Sequence, residues 1–285
     1  MNILPPLTIS KTKCYLQLDR CTPVSKFLEA TIRGAMGYAL KKKLCLFKNR
    51  ECTKCLVRET CGYSTFFEPA PPQNSALQHS MQQAARSWMF NATQFSDRVQ
   101  LEISLIGNAQ NFLESILTTI DEIGNIGLGK KQIQYKICAV QPSVNYNLSE
   151  LSQQNASKAT LSFVTPITLR SQGKFMREWD NHLFFATLLR RITNLSVIHK
   201  ISVQDFNAKA LLKFVDNIKT EAFLSTIAQD RTSTHQNRTI DYHGLIGDIQ
   251  FSGLTPKLNQ ILQAGELLSV GKNTVFGYGK YRIIW

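Results

Sequence analysis

Gly277-Tyr278-Gly279-Lys280, running into Tyr281 to Trp285, repeats at a distance of 150 residues the turn Gly127-Leu128-Gly129-Lys130, which leads into the strand-like Gln132 to Val140. The order upstream of each turn is also similar. The first half reads as a strand at Lys13 to Leu18, a helix from Val24 to Leu44, a strand at Val99 to Ile106 and a helix from Ala109 to Ile123. The second half reads as a strand at Thr160 to Val164, a helix from Phe175 to Ile198, a strand at Leu245 to Phe251 and a helix near Pro256 to Gln263. Each half then closes with its glycine turn and a last strand. Strand, helix, strands, helix, strand is a split βαβ unit, so the expectation is an α+β chain of two tandem ferredoxin-like (RRM-like) βαββαβ domains. The domains are placed at 1–144 and 157–285, with the polar stretch Asn145 to Lys158 as the linker between the two folds.

A length of 285 residues agrees with two domains of roughly 150 each, and 43% hydrophobic residues can fill two cores. Charged residues make up only 19%, yet 33 Lys and Arg face 20 Asp and Glu, so the net charge of +13 comes from missing acids. The excess is spread over both halves, +7 up to residue 142 and +6 beyond it. Its densest part is Lys11 to Arg58, with twelve basic residues against Asp19, Glu29 and Glu51. Such a field suits a polyanion, and nucleic acid is the expected partner ahead of a merely alkaline soluble protein. No apolar run reaches the roughly 18 residues of a spanning helix. The start carries Pro5-Pro6 and no basic segment ahead of an apolar one, so a cytoplasmic chain that neither crosses nor enters a membrane is expected.

Four of the seven cysteines, Cys45, Cys52, Cys55 and Cys61, fall in a C-x6-C-x2-C-x5-C run inside the first domain. In a reducing compartment clustered thiols more often bind metal than pair as disulfides. Four thiolates without redox work suit one structural zinc ion, so residues 45–61 are expected to be a cysteine-rich zinc insertion; an incidental cluster is the alternative.

On the first helix, Val24, Leu28, Ile32, Ala35 and Ala39 form an apolar stripe, while Lys26, Arg33, Gly37 and Lys41 run down another face. Gly34 and Gly37 each cost about 1 kcal/mol against alanine, which implies that packing partners or RNA come close there. Lys41, Lys42 and Lys43 stand in the last turn, where cations also complement the helix dipole. The stretch Gly265 to Lys280 lacks P-loop or dinucleotide spacing. Its residues Gly271, Lys272, Asn273, Thr274, Gly277, Tyr278, Gly279 and Lys280 either let backbone amides approach a nucleic-acid backbone, with the lysines on phosphates and Tyr278 stacking on a base, or form a tight turn.

The segments Gly244 to Gly253 and Gly265 to Gly279 resemble the signature of the CRISPR-associated precursor-RNA processing endoribonucleases of the RAMP superfamily. Arg33-Gly34-Ala35-Met36-Gly37 ahead of a cysteine cluster ending Cys61-Gly62-Tyr63, Phe67-Glu68-Pro69, and Thr165-Pro166-Ile167-Thr168-Leu169 carry the same likeness. The resemblance implies two ferredoxin-like domains that bind a CRISPR repeat through basic surfaces and a glycine-rich loop, and cut it without metal or other cofactor. The chemistry is attack of a ribose 2′-hydroxyl on the adjacent phosphate, leaving a 2′,3′-cyclic phosphate. It needs a base, cations at the phosphorane and an acid for the leaving oxygen.

Family members place a histidine in or after the first helix, and here Tyr38 and three lysines stand in its place. Of the five histidines, His79 and His235 lie in polar stretches, His182 reads as a packed residue and His199 as a helix-end residue. His243 follows Arg238, Asp241 and Tyr242 at the entry to a glycine-rich strand. The expected catalytic pair is Tyr38 with Lys42, one turn apart, with His243 in reserve. Arg33, Lys41, Lys43 and Arg238 join the glycine loop as RNA-binding residues. The alternative is a non-catalytic RAMP subunit that binds CRISPR RNA within an interference complex; a basic peripheral membrane protein is disfavoured by the helix glycines.

Overall fold

The computed structural model describes residues 3–25, 27–47, 51–71, 84–233 and 238–285; at 229–233 and 238–242 only the backbone is described. The first half has β1 (Thr8–Leu18), α1 (Leu28–Leu44), a short α2 (Gly62–Phe67), β2 (Trp88–Phe95), β3 (Arg98–Ile106), α3 (Leu113–Ile126), β4 (Tyr135–Val140) and β5 (Val144–Asn147). The second has β6 (Lys158–Phe163), the small hairpin β7 (Arg170–Ser171) and β8 (Lys174–Phe175), α4 (Asn181–Ile198), a short α5 (Ala208–Leu212), β9 (Lys219–Ser233), β10 (Arg238–Ser252), α6 (Pro256–Leu268) and β11 (Tyr281–Ile284).

Both sheets are antiparallel and have the same strand order: β2-β3-β1-β4 in the first half and β11-β6-β10-β9 in the second. That order, first strand central and beside the third, is the ferredoxin-like arrangement made twice. The turns that announced it behave alike. Gly127 lies at φ +94 and donates its N–H to the Ile123 carbonyl, ending α3, while Gly277 and Gly279 lie at φ +81 and +75. Only glycine takes these conformations without strain, which is why the motif survives as glycine in both halves.

Several boundaries move. α1 begins at Leu28 rather than Val24, and its buried side is Leu28, Ala30, Ile32, Met36 and Leu40. The expected stripe drifts because Ala35 and Ala39 are only half-buried. α4 begins at Asn181, capped by the Asp180 carboxylate on the Leu183 N–H, and the hairpin β7–β8 takes the residues before it. The expected linker is partly strand: β5 pairs with the Thr8–Lys11 end of β1. β9 and β10 form a ribbon of 15-residue strands, of which only Asp248 to Ser252 also pairs with β6. Where a ribbon leaves the sheet, the alternation that betrays a half-buried strand is no longer required of its sequence.

Two cores are formed, and they exchange residues. Leu4, Leu7, Ile9, Met89 and Ile106 of the first half pack with Leu161, Phe184, Leu188 and Ile261 of the second. Val275, from the second glycine turn, is buried in the first core with Ile32, Met36 and Phe67.

Candidate nucleic-acid interface

The glycine-rich stretch after α6 is stitched onto the segment after β6. Val270 N–H donates to the Gly279 carbonyl, Gly279 N–H to Pro166 and Lys272 N–H to Thr168, at 3.0, 2.8 and 2.9 Å. Any side chain at Gly279 would run into the Val270 carbonyl, so the two ends of the loop can close only there. The short 3₁₀ turn Thr274–Phe276 then lies on α1 of the other half. The Arg33 guanidinium lies over the Phe276 ring at 4.7 Å and over the Phe67 ring at 5.0 Å. A Cβ at Gly277 would sit 3.0 Å from the Glu29 side chain.

These contacts change the reading of the loop. Tyr278 is 8% exposed, so its ring is not presented for base stacking. Thr274, Gly277 and Gly279 are buried as well. Lys280 spends its charge on Glu102, 3.0 Å away, in a pair whose side chains are 24% and 14% exposed. Burial alone would raise the Glu102 pKa, but Lys280 and then Lys11 outweigh it and hold the carboxyl below its ordinary value. The part of the loop that faces outward is Gly271 to Asn273, where Lys272 is exposed and its two neighbours are half-buried.

On α1 the three lysines divide. Lys41 lies 5.8 Å from the Tyr63 ring and Lys43 pairs with Glu122 of α3 at 2.8 Å. Tyr38 is 74% exposed, and Lys42, one turn on, is exposed too. Gly37 faces Phe67, whose ring carbon would be 2.6 Å from an added Cβ, whereas nothing lies within 4 Å at Gly34. Packing explains the first glycine and not the second.

His243 is half-buried, its ring 5.6 Å from Phe175, and its carbonyl accepts the Thr168 hydroxyl at 2.5 Å. Since the Thr168 carbonyl also holds Lys272, one residue ties His243 to the open edge of the loop. His182 departs from expectation: it is exposed and its Nε2 lies 2.6 Å from the Asp216 carboxylate. His79 and His235 lie outside the described residues, as does the side chain of Arg238, whose backbone pairs with Ser233.

Cys52 is buried while Cys45, Cys55 and Cys61 are half-buried; burial, and to a smaller extent the neighbouring Glu68, Cys45 and Cys61, push the Cys52 thiol up. Cys55 N–H donates to the Cys52 carbonyl at 3.3 Å, forming the tight C-x2-C turn. Among the described residues no three His, Cys, Asp or Glu side chains are grouped closely enough to hold a metal ion. The segment is anchored instead by the aromatic face of α2: Phe66 stacks on Trp88 at 5.4 Å and accepts the indole N–H, and Phe67 packs beside both.

The open edge of the loop borders a groove of about 370 Å³ lined by Arg86, Arg170, Arg190, Arg191 and Lys272. The four arginines were not legible as a group, because they come from three segments far apart in sequence, before β2, in β7 and on α4.

A family model described as CRISPR-associated endoribonuclease Cas6 matches residues 161–281, the half that carries this loop. A Cas6 domain therefore makes up the second half of the chain. A second model, of an N-terminal domain named AF_1859_N, matches residues 7–161. Among solved structures, Thermus thermophilus Cas6 is similar over 98% of this chain and 99% of its own, with a TM-score of 0.61 and 11% identity. A Cas6 product complex follows at 0.60 and 13%, covering 98% and 100%. The product of a Cas6-related gene from Pyrococcus furiosus gives 0.51 and 12%, covering 97% and 98%. No curated protein matches in sequence. By that match, the second half is that of a CRISPR-associated endoribonuclease.

Proposed function

We propose that this chain is a Cas6-type endoribonuclease that works in the cytoplasm on CRISPR repeat RNA and cuts it without metal, by attack of the ribose 2′-oxygen on the adjacent phosphorus. A base takes the 2′-hydroxyl proton, the new O–P bond closes the 2′,3′-cyclic phosphate, the P–O5′ bond breaks, and the departing 5′-oxygen takes up a proton. The observation that carries the reading is the Cas6 match over 161–281, the segment whose loop closes against α1 and borders the arginine groove. Tyr38 is assigned to the proton transfer and Lys42 to the phosphorane charge, both exposed and one turn apart on α1. His243, tied through Thr168 to the loop, is the second-domain substitute for either.

The test is single-turnover cleavage of repeat RNA in EDTA with analysis of product ends. A cyclic phosphate and a 5′-hydroxyl are expected, and a 2′-deoxy nucleotide at the scissile position should abolish cutting with affinity nearly intact. Tyr38→Phe or Lys42→Ala should slow cleavage at least tenfold without a comparable loss of binding, as general acid–base groups contribute about 100 to 10,000-fold. If both variants cut at the parental rate and His243→Ala does not, the catalytic group belongs to the second half. A second reading, a non-catalytic RNA-binding subunit of an interference complex, is favoured by the absence of histidine from Leu28–Leu44. Intact repeat RNA under conditions of tight binding would establish it.

Zinc is proposed as a structural ion of residues 45–61, supported by four thiols in 17 positions and the C-x2-C turn. It requires the half-buried thiols to close up around the ion. About one zinc per chain in protein purified without chelator is expected, and less than about 0.2 removes the proposal.

A further inference from the structure

β9 is an edge strand, and among the described residues only β10 pairs with it, in unbroken register from Lys219 opposite Ser252 to Ser233 opposite Arg238. An edge presents a row of unpaired N–H and C=O groups, which native chains blunt with charges, prolines, bulges or a covering segment. The first sheet follows that rule at β2: the 3₁₀ turn Thr274–Phe276 lies beside the strand, and Glu29 accepts the Ala92 N–H at 3.1 Å. β9 does not. Its positions 222–229, Ala-Phe-Leu-Ser-Thr-Ile-Ala-Gln, carry neither a charge nor a proline, its register has no bulge, and Phe223 is 58% exposed.

The strand also has both the need and the room for a neighbour. β6 holds β10 only at Asp248 to Ser252, and Ile167 bridges to Leu245; beyond that, positions 228–233 of β9 and 238–243 of β10 pair as strands only with each other. A two-stranded ribbon is marginal in water without a third strand. On the side of the sheet that packs on α4, Thr220 lies opposite the buried Phe251. There Thr220, Ala222 and Leu224, together with Arg177, Glu178 and Trp179, line an open pocket of about 470 Å³ alongside the strand.

We propose that β9 is the contact of a two-fold dimer, in which it pairs antiparallel with β9 of a second copy. Thr226 is the middle residue of the strand, and an axis there pairs all 15 positions. That register sets Glu221 of each copy opposite position 231 of the other, an arginine, and opposes no two like charges. Its neighbours are worse: with the axis at Ser225, Lys219 would face Arg231, and with the axis at Ile227, Glu221 would face Ser233. Position 230, an aspartate, comes opposite Ala222, which lines the pocket with Arg177. The two edges exchange about fifteen hydrogen bonds, two at every second pair, and the ribbons merge into one four-stranded antiparallel sheet. A second copy fits this edge because the strand is complementary to itself, and such an isologous contact closes on two chains. The proposal does not depend on the repeat-RNA reading.

The experiment is sedimentation equilibrium of the full chain, freed of nucleic acid, over a concentration series, with thermal melting to verify the fold of each variant. A species of twice the 32.2 kDa chain mass is expected. Glu221→Arg and Arg231→Glu should each weaken it about fivefold, and the double variant, which rebuilds both pairs with the charges exchanged, should return to the parental constant. Thr226→Lys, at an exposed position, sets two ammonium groups face to face on the axis and should weaken the dimer about tenfold. Arg282→Glu, exposed on β11 at the other edge of the same sheet, should change nothing. A chain that stays monomeric at every concentration at which it remains in solution overturns the dimer. A dimer that both single charge changes leave intact, or that the double variant fails to restore, overturns the pairing of β9 in this register. Weakening by Arg282→Glu places the contact on β11 and overturns it as well.

Discussion

Lys280 reaches across the seam to a carboxylate that sits mostly out of water, and its removal would strand Glu102. Lys11 remains nearby to take part of that charge. Lys280→Ala should therefore cost about 1–3 kcal/mol in denaturant unfolding at pH 7. The folded pKa of Glu102 is lowered, so the pair's contribution is complete above the unfolded carboxylate value near 4.3 and fades as pH falls through the folded value. The deficit of the variant should shrink over that acid window; an equal deficit at every pH would mean lost packing instead. Because this ammonium is already paired, the salt dependence of RNA binding should not change, and a slope reduced by one unit would return Lys280 to the phosphate contacts.

At the scale of the element, α1 bears two glycines with opposite surroundings. Gly34 is exposed with open space about the missing Cβ, so Gly34→Ala should stabilise the protein by about 0.5–1 kcal/mol through helix propensity alone. Gly37 is buried against Phe67, a ring itself packed among Tyr63, Phe66 and Trp88, so Gly37→Ala must displace that cluster and should destabilise by about 1–3 kcal/mol. Urea midpoints at constant slope test both. If Gly34→Ala is as stable as expected but loses RNA affinity, the nucleic acid itself comes close at that turn.

Across the whole molecule, His199 joins the halves at the end of α4. Its Nδ1 accepts the Asn108 N–H at 3.2 Å and its Nε2–H therefore donates to Ser87, at 2.8 Å, both groups of the first half. Burial lowers the ring's pKa, and the Asn108 contact exists only with the neutral form. The unfolded chain takes up the proton first, near pH 6.5, so stability is complete above that value and declines below it until the folded pKa is reached. Thermal unfolding should show a loss of melting temperature between pH 7 and 5.5 that His199→Gln largely removes. A profile of the same shape in the variant would place the titration elsewhere.

Periodicity and glycine spacing determined the α+β class and the doubled βαββαβ order, because a buried helix face, a half-buried strand and a turn at positive φ each constrain residue type locally. Ile116, Ile120 and Ile123 on α3, closed by Gly127, needed nothing from the rest of the chain. The net charge and the segments 244–253 and 265–279 carried the class of activity. The tertiary structure alone decided which basic residues are spent and which are open. Lys280, Lys43 and Arg33 look like Lys272 and Arg190 in sequence, yet Glu102, Glu122 and two aromatic rings claim the first three from distant positions. Tyr278 likewise turned inward because Gly277 and Gly279 bend the loop onto α1. Partners brought together over sequence separations of 79 and 178 residues leave no local signature, so the availability of a charge is a property of the fold and its presence a property of the sequence.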